Sequence, residues 1–168
     1  MDRRILLHAL GDAGFFRGVA THYLEDLANI AHLDEFEEGD VIFREGESVE
    51  NVYVVTSGEV ALEVSASGID PQQVYTVASG ESLGWSALFD RSKRTATAVA
   101  TAPTSVFRFD GEELLELCDA NPNLGYSIMR QTAIALSQRL QRMRARFIEV
   151  YRLQPTGFMC GPEEVGVD

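Results

Sequence analysis

No histidine follows His32 anywhere in the chain. That absence excludes most chemistry on the long middle region. A metal centre of the cupin kind needs imidazoles and a carboxylate converging from neighbouring strands. A serine or cysteine nucleophile needs a nearby base, usually imidazole. No enzyme and no metal site are therefore expected. Cysteine is also scarce: Cys118 and Cys160 lie far apart and form no ligand spacing, so they read as free thiols of a reducing cytosol. Long apolar runs are missing too. No segment approaches membrane-spanning length, and the run after Arg3-Arg4 is interrupted by His8 and followed by Gly11-Asp12, which is too short for a signal peptide. The expectation is a cytoplasmic protein with no membrane partner. Basic residues are outnumbered, 14 against 26, and a net charge of −12 opposes binding to nucleic acid.

The residues present suit one globular domain, with 45% apolar and 24% charged side chains in 168 residues. Helical spacing of Leu24, Leu27, Ile30 and Ala31 predicts a helix over about 19–32, after a first helix over 2–10. From Phe36 the pattern changes to short β-rich runs at Val41–Phe43, Val52–Val55, Val60–Val64, Val74–Val77, Thr95–Thr101 and Ser105–Phe109. Turns at 38–40, 45–47 and 57–59 separate the first of these, and residues 65–73 read as a polar loop. Six to eight strands so punctuated predict a mainly β fold with flanking helices, a β-roll or jelly roll over about 36–110.

Asp110 is placed to cap a helix whose apolar face is Leu114, Leu115 and Leu117, and Asn121-Pro122 ends it. A last helix is expected from about Leu124 to Arg152. Within it Met129, Ala133, Leu136, Leu140, Met143, Phe147 and Val150 alternate at spacings of four and three. That seam predicts a homodimer through paired helices. Residues 129–152 carry a charge of +5 and the remainder −17, so the arginines are expected to meet the acidic body or an acidic partner protein. The domain so read covers 1–152, and 153–168 form a tail.

Between Gly80 and Thr97 the chain is arranged differently. Gly84 is followed by Trp-Ser-Ala-Leu-Phe, enough for a short helix, then by Arg91, Lys93 and Arg94 and the alternating run from Thr95. A glycine before a helical turn exposes free amides and suits an anion, and an arginine at a strand start can grip phosphate oxygens. This order resembles the phosphate-binding cassette of cyclic-nucleotide-binding domains, the sensor modules of catabolite activators, cyclic-nucleotide-dependent kinases and gated channels. The runs 40–46 and 55–60 resemble that domain as well.

The resemblance, over roughly 15–152, implies a ligand such as cAMP or cGMP and no other cofactor. Its phosphate would meet Arg94, Thr95 and the amides of Trp85, Ser86 and Ala87 after Gly84. Its base would lie against Leu62 and under the last helix near Met143 and Arg144. Where the family has a glutamate for the ribose 2′-hydroxyl, this chain has Trp85. Two readings follow: a ligand-sensing regulatory domain, or a ligand-free dimeric interaction module of the same fold. Catabolite activators carry a helix-turn-helix after the long helix. Here 16 residues remain after Arg152, so no DNA binding is expected.

Overall fold

The computed structural model describes residues 3–66, 69–89 and 93–153, with side chains over 6–65, 70–89 and 93–149. Arg91, the side chain of Val150 and the tail from 154 lie outside the described residues.

Two antiparallel four-stranded sheets form the roll. β1 (His32–Phe36), β8 (Thr104–Asp110), β3 (Asn51–Ser57) and β6 (Ser82–Leu83) make the first, in that order. β2 (Val41–Phe43), β7 (Thr97–Ala100), β4 (Glu59–Ala66) and β5 (Ile69–Ala78) make the second. Around them lie α1 (Arg3–Asp12), a 3-10 turn at Gly14–Phe16, α2 (Thr21–Ile30), a second 3-10 turn at Trp85–Leu88, α3 (Gly111–Ala120) and α4 (Pro122–Leu153).

Four differences from the sequence reading have local causes. The roll begins at His32, because residues 32–36 pair with β8 instead of extending α2. Its one histidine, His32, is therefore an exposed edge residue. The polar stretch 65–73 is largely strand, since β5 runs from Ile69 and pairs along β4. Pro122 opens α4, where a missing N–H costs nothing. β6 has only two residues, too few to show a pattern.

The central strands of the first sheet, β3 and β8, are buried on both faces. Tyr53, Val55, Leu83 and Val106 look into the roll with Val60, Leu62, Tyr75 and Val77. The alternate residues Val52, Val54, Phe107 and Phe109 pack under Leu10, Phe16, Leu27, Leu114, Leu124 and Ile128 from the helices. This is why Val52–Val55 reads as a continuous apolar run: a strand covered on both sides has no polar face.

Asp110 ends β8 and caps α3, accepting from the amides of Glu112 (2.9 Å) and Glu113 (3.1 Å). Asp110→Ala is expected to cost about 1 kcal/mol, read as a lowered urea midpoint with an unchanged slope.

α4 has two distinct faces. Ile128, Thr132, Ala135, Arg139 and Arg142 fall on one side, with Ile128 and Thr132 fully buried. The 4–3 seam runs roughly 100° round the helix from them. Met129 at its start packs on the core and Leu136 is half-buried. Beyond that, Ala133 is exposed, and Leu140, Met143 and Phe147 are 60%, 42% and 63% exposed.

Candidate ligand site

Arg94 is the centre of the site, and it points inward. It is only 6% exposed. Its main chain is pinned first, with its amide donating to Glu47 O and its carbonyl accepting from the Gly46 amide, both at 2.8 Å. The guanidinium lies over the Phe43 ring, 4.2 Å from the centroid, and 5.9 Å from that of Tyr53. Nη2 donates to Asn51 O at 2.9 Å and Nη1 to Gly84 O at 3.4 Å, while Nε is buried without a partner. Among the described residues no carboxylate stands within ion-pairing distance of it. Burial pushes its pKa below the usual value, opposed by the fields of Tyr53, Glu47 and Glu50. A buried cation held by carbonyl dipoles and a ring face keeps unspent capacity for an anion.

Gly84 makes that placement possible. Its φ of 76° is left-handed, and a Cβ there would lie 2.6 Å from Arg94 Nη1 and 2.7 Å from Asn51 O. Only glycine combines this conformation with that approach. The following 3-10 turn buries Ala87 and Leu88 and leaves Trp85 and Ser86 half-buried. The Ala87 amide is not free, since it donates to Gly84 O at 3.1 Å. In an i→i+3 turn, the residues preceding it have no carbonyl to reach, which leaves the amides of Trp85 and Ser86 at the open end. Thr95 is exposed beside Arg94 and precedes β7, which starts only at Thr97. Leu62, 8% exposed, faces the roll interior opposite Tyr75.

α4 brings to Tyr75, Glu81 and Ser82 arginines that the sequence reading did not single out. Arg139 lies over the Tyr75 ring at 4.5 Å and 5.8 Å from that of Trp85, and donates to Ser82 O at 2.8 Å. Burial pushes its pKa below the ordinary guanidinium value. Arg142 donates to Glu81 Oε1 at 2.6 Å and to the Tyr75 hydroxyl at 2.8 Å. The hydrogen bond it gives to Glu81 raises its pKa. Arg144, expected beside the ligand, is exposed and stands about 140° round the helix from Arg139. Met143 reaches only a shallow depression beside Tyr75, Arg142 and Arg146. The missed signal was periodic: Thr132, Arg139 and Arg142 recur on the side of buried Ile128.

A family model for the cyclic nucleotide-binding domain matches residues 33–121. The chain belongs to that family. A protein of Geobacter metallireducens described as cyclic nucleotide-binding superposes with a TM-score of 0.69 at 29% identity, over 83% of this chain and 98% of its own. The cGMP-dependent protein kinase egl-4 of Caenorhabditis elegans is 26% identical over 114 residues, 67% of this chain but 15% of the kinase. A CRP-like cAMP-activated global transcriptional regulator of Mycobacterium tuberculosis is 24% identical over 133 residues, 79% of this chain and 58% of the regulator. The chain thus spans well under two thirds of these two curated relatives.

Gly84, Trp85 and Arg94 all fall within the matched residues of the cyclic nucleotide-binding domain. Among the described residues no helix is long and apolar enough to cross a membrane.

Proposed function

We propose that the chain is a ligand-sensing regulatory domain in which Arg94 and the amides of Trp85 and Ser86 hold the phosphate of a cyclic nucleotide. The observation that carries this reading is Arg94 itself, buried with one nitrogen unpartnered and no carboxylate opposite among the described residues. Names of relatives, one cGMP-dependent and one cAMP-activated, support a cyclic nucleotide as the anion. The base would lie against Leu62 beneath α4, and movement of α4 would be the output. A second copy would pair along Met129, Ala133, Leu136, Leu140, Met143, Phe147 and Val150. No catalysis is assigned to the chain. Calorimetric titration with cAMP and cGMP tests the reading, and absence of heat for either up to millimolar concentration overturns it.

Trp85 favours a second reading. Its indole, where the family's ribose acceptor would stand, sits near the α4 guanidinium of Arg139. An indole so engaged suits a module that has exchanged its ligand for a fixed helix and acts as a dimeric interaction partner, its arginine-rich end meeting an acidic protein. The two readings part at Trp85→Glu. On the sensor reading, the restored carboxylate accepts from the ribose hydroxyl, and cyclic-nucleotide affinity rises about tenfold or more. Absence of binding in both the parent and this variant supports the module.

A further inference from the structure

A second cleft, of about 590 Å³, opens between the first 3-10 turn, the β5–β6 turn and α4. None of its lining residues lies in 84–97, although Tyr75, Arg139 and the turn at 80–82 border both places. It lies toward the helical side of the first sheet. Ser82 in its wall pairs with Val54, whose side chain packs under the helices, and directly paired residues share a face. Arg94, by contrast, stacks on Phe43 and Tyr53 of the roll interior.

The charges in this wall are one-sided. Arg17, Arg130 and Arg139 all line the cleft. Arg17 and Arg130 also line a neighbouring depression beside Tyr126. Among the described residues neither guanidinium makes an ion pair or a side-chain hydrogen bond. The one acid in the wall, Glu81, is occupied by Arg142, the Tyr75 hydroxyl and the Ala78 amide. Asp12 lines an adjoining hollow with Arg17 but is paired with His8 at 2.7 Å. Gln131 donates to Arg17 O at 2.6 Å, which ties the main chain of Arg17 to α4. In a chain of net charge −12, unpaired cations along a cleft make a local trap for negative charge.

We propose that this cleft is a second binding site, separate from the cassette, for a small organic molecule carrying two or more phosphate or carboxylate groups. Its volume lies within the roughly 300–1,000 Å³ of small-molecule sites. Two guanidiniums on different elements, Arg17 after the first 3-10 turn and Arg130 on α4, suit an anion with two charged ends. Occupancy would tie α4 to the N-terminal segment. Arg139 joins both sites, since it lines the cleft and lies near Trp85.

The test uses the full chain at low salt, with inorganic pyrophosphate and citrate as probes. Arg94→Gln, which removes the cassette's own grip on anions, is expected still to bind one pyrophosphate or one citrate per chain. Arg17→Gln with Arg130→Gln, both exposed positions that tolerate the change, is expected to bind at least about tenfold more weakly. Amide shifts in NMR spectra should gather at 14–18, 79–82 and 130–139. Three results overturn the proposal: no binding of either probe up to millimolar concentration, equal binding by the double variant, or loss of binding in Arg94→Gln. The double variant's cAMP and cGMP titrations report on the cassette separately, so failure of one site is distinguishable from failure of the other.

Discussion

Arg94→Gln is expected to lower cyclic-nucleotide affinity by at least about a hundredfold while leaving the unliganded protein as stable as before, or more so. The two effects share one cause. In the bound state the guanidinium would face a phosphate in a site closed to water, and removing one partner of a buried charge pair costs about 3–5 kcal/mol, two decades of affinity or more. Without ligand, the same guanidinium is a buried charge with an unpartnered Nε and no opposing carboxylate among the described residues. Its lowered pKa, due first to burial, means that folding disfavours the charged form. The arginine stays protonated at any ordinary pH, so this cost is present throughout and does not vary across the working range. Glutamine removes the charge that burial disfavours, and this gain offsets the loss of the Nη2 bond to Asn51 O. Calorimetric titration and thermal unfolding of the same samples check both halves. A large fall in the melting temperature without ligand would mean that Arg94 is structural and would weaken the sensor reading.

Leu136→Glu with Leu140→Glu is expected to convert a dimer into a folded monomer. Leu140 is 60% exposed and Leu136 half-buried, and both face away from the roll side of α4. Fully burying a leucine contributes about 1.5–3 kcal/mol, and a symmetric pair of helices would bury four of them. Since about half of that surface is already covered in the single chain, the loss is about 3 kcal/mol or more, two decades of dimer affinity. The fold should survive, because the inner face of α4 keeps Ile128, Thr132, Arg139 and Arg142. Light scattering at tens of micromolar should give twice the chain mass for the parent and the chain mass for the variant. A monomeric parent overturns the dimer.

Much of the architecture was legible locally. The Val- and Tyr-built run Val52–Val55, the cap at Asp110 and the long periodic helix each carry their signal in neighbouring residues, where propensity and period act directly. His32–Phe36 was misread because a five-residue edge strand has no pattern of its own. Only pairing with β8 makes it a strand. The stretch 69–73 was misread for the same reason, its strand character coming from the ladder with β4.

The site divides along the same line. Gly84 and Arg94 could be found from sequence because a turn and the arginine ten residues on belong to one local arrangement. By itself, the sequence determined the roll, the glycine turn at Gly84 with its short helix, and the 4–3 stripe on the last helix. Tertiary structure alone decided that Arg94 points inward with no carboxylate among the described residues. It also decided that Arg139, in place of Arg144, meets Tyr75 and Trp85, and that Arg17 and Arg130 share a cleft. Those facts depend on the rotation of α4 about its own axis against the roll. That rotation is set by burial of Ile128 and Thr132, and each residue along a helix turns the side chain about 100°. A spacing pattern gives the width of an apolar face, but which side meets the roll depends on contacts between residues far apart in the chain.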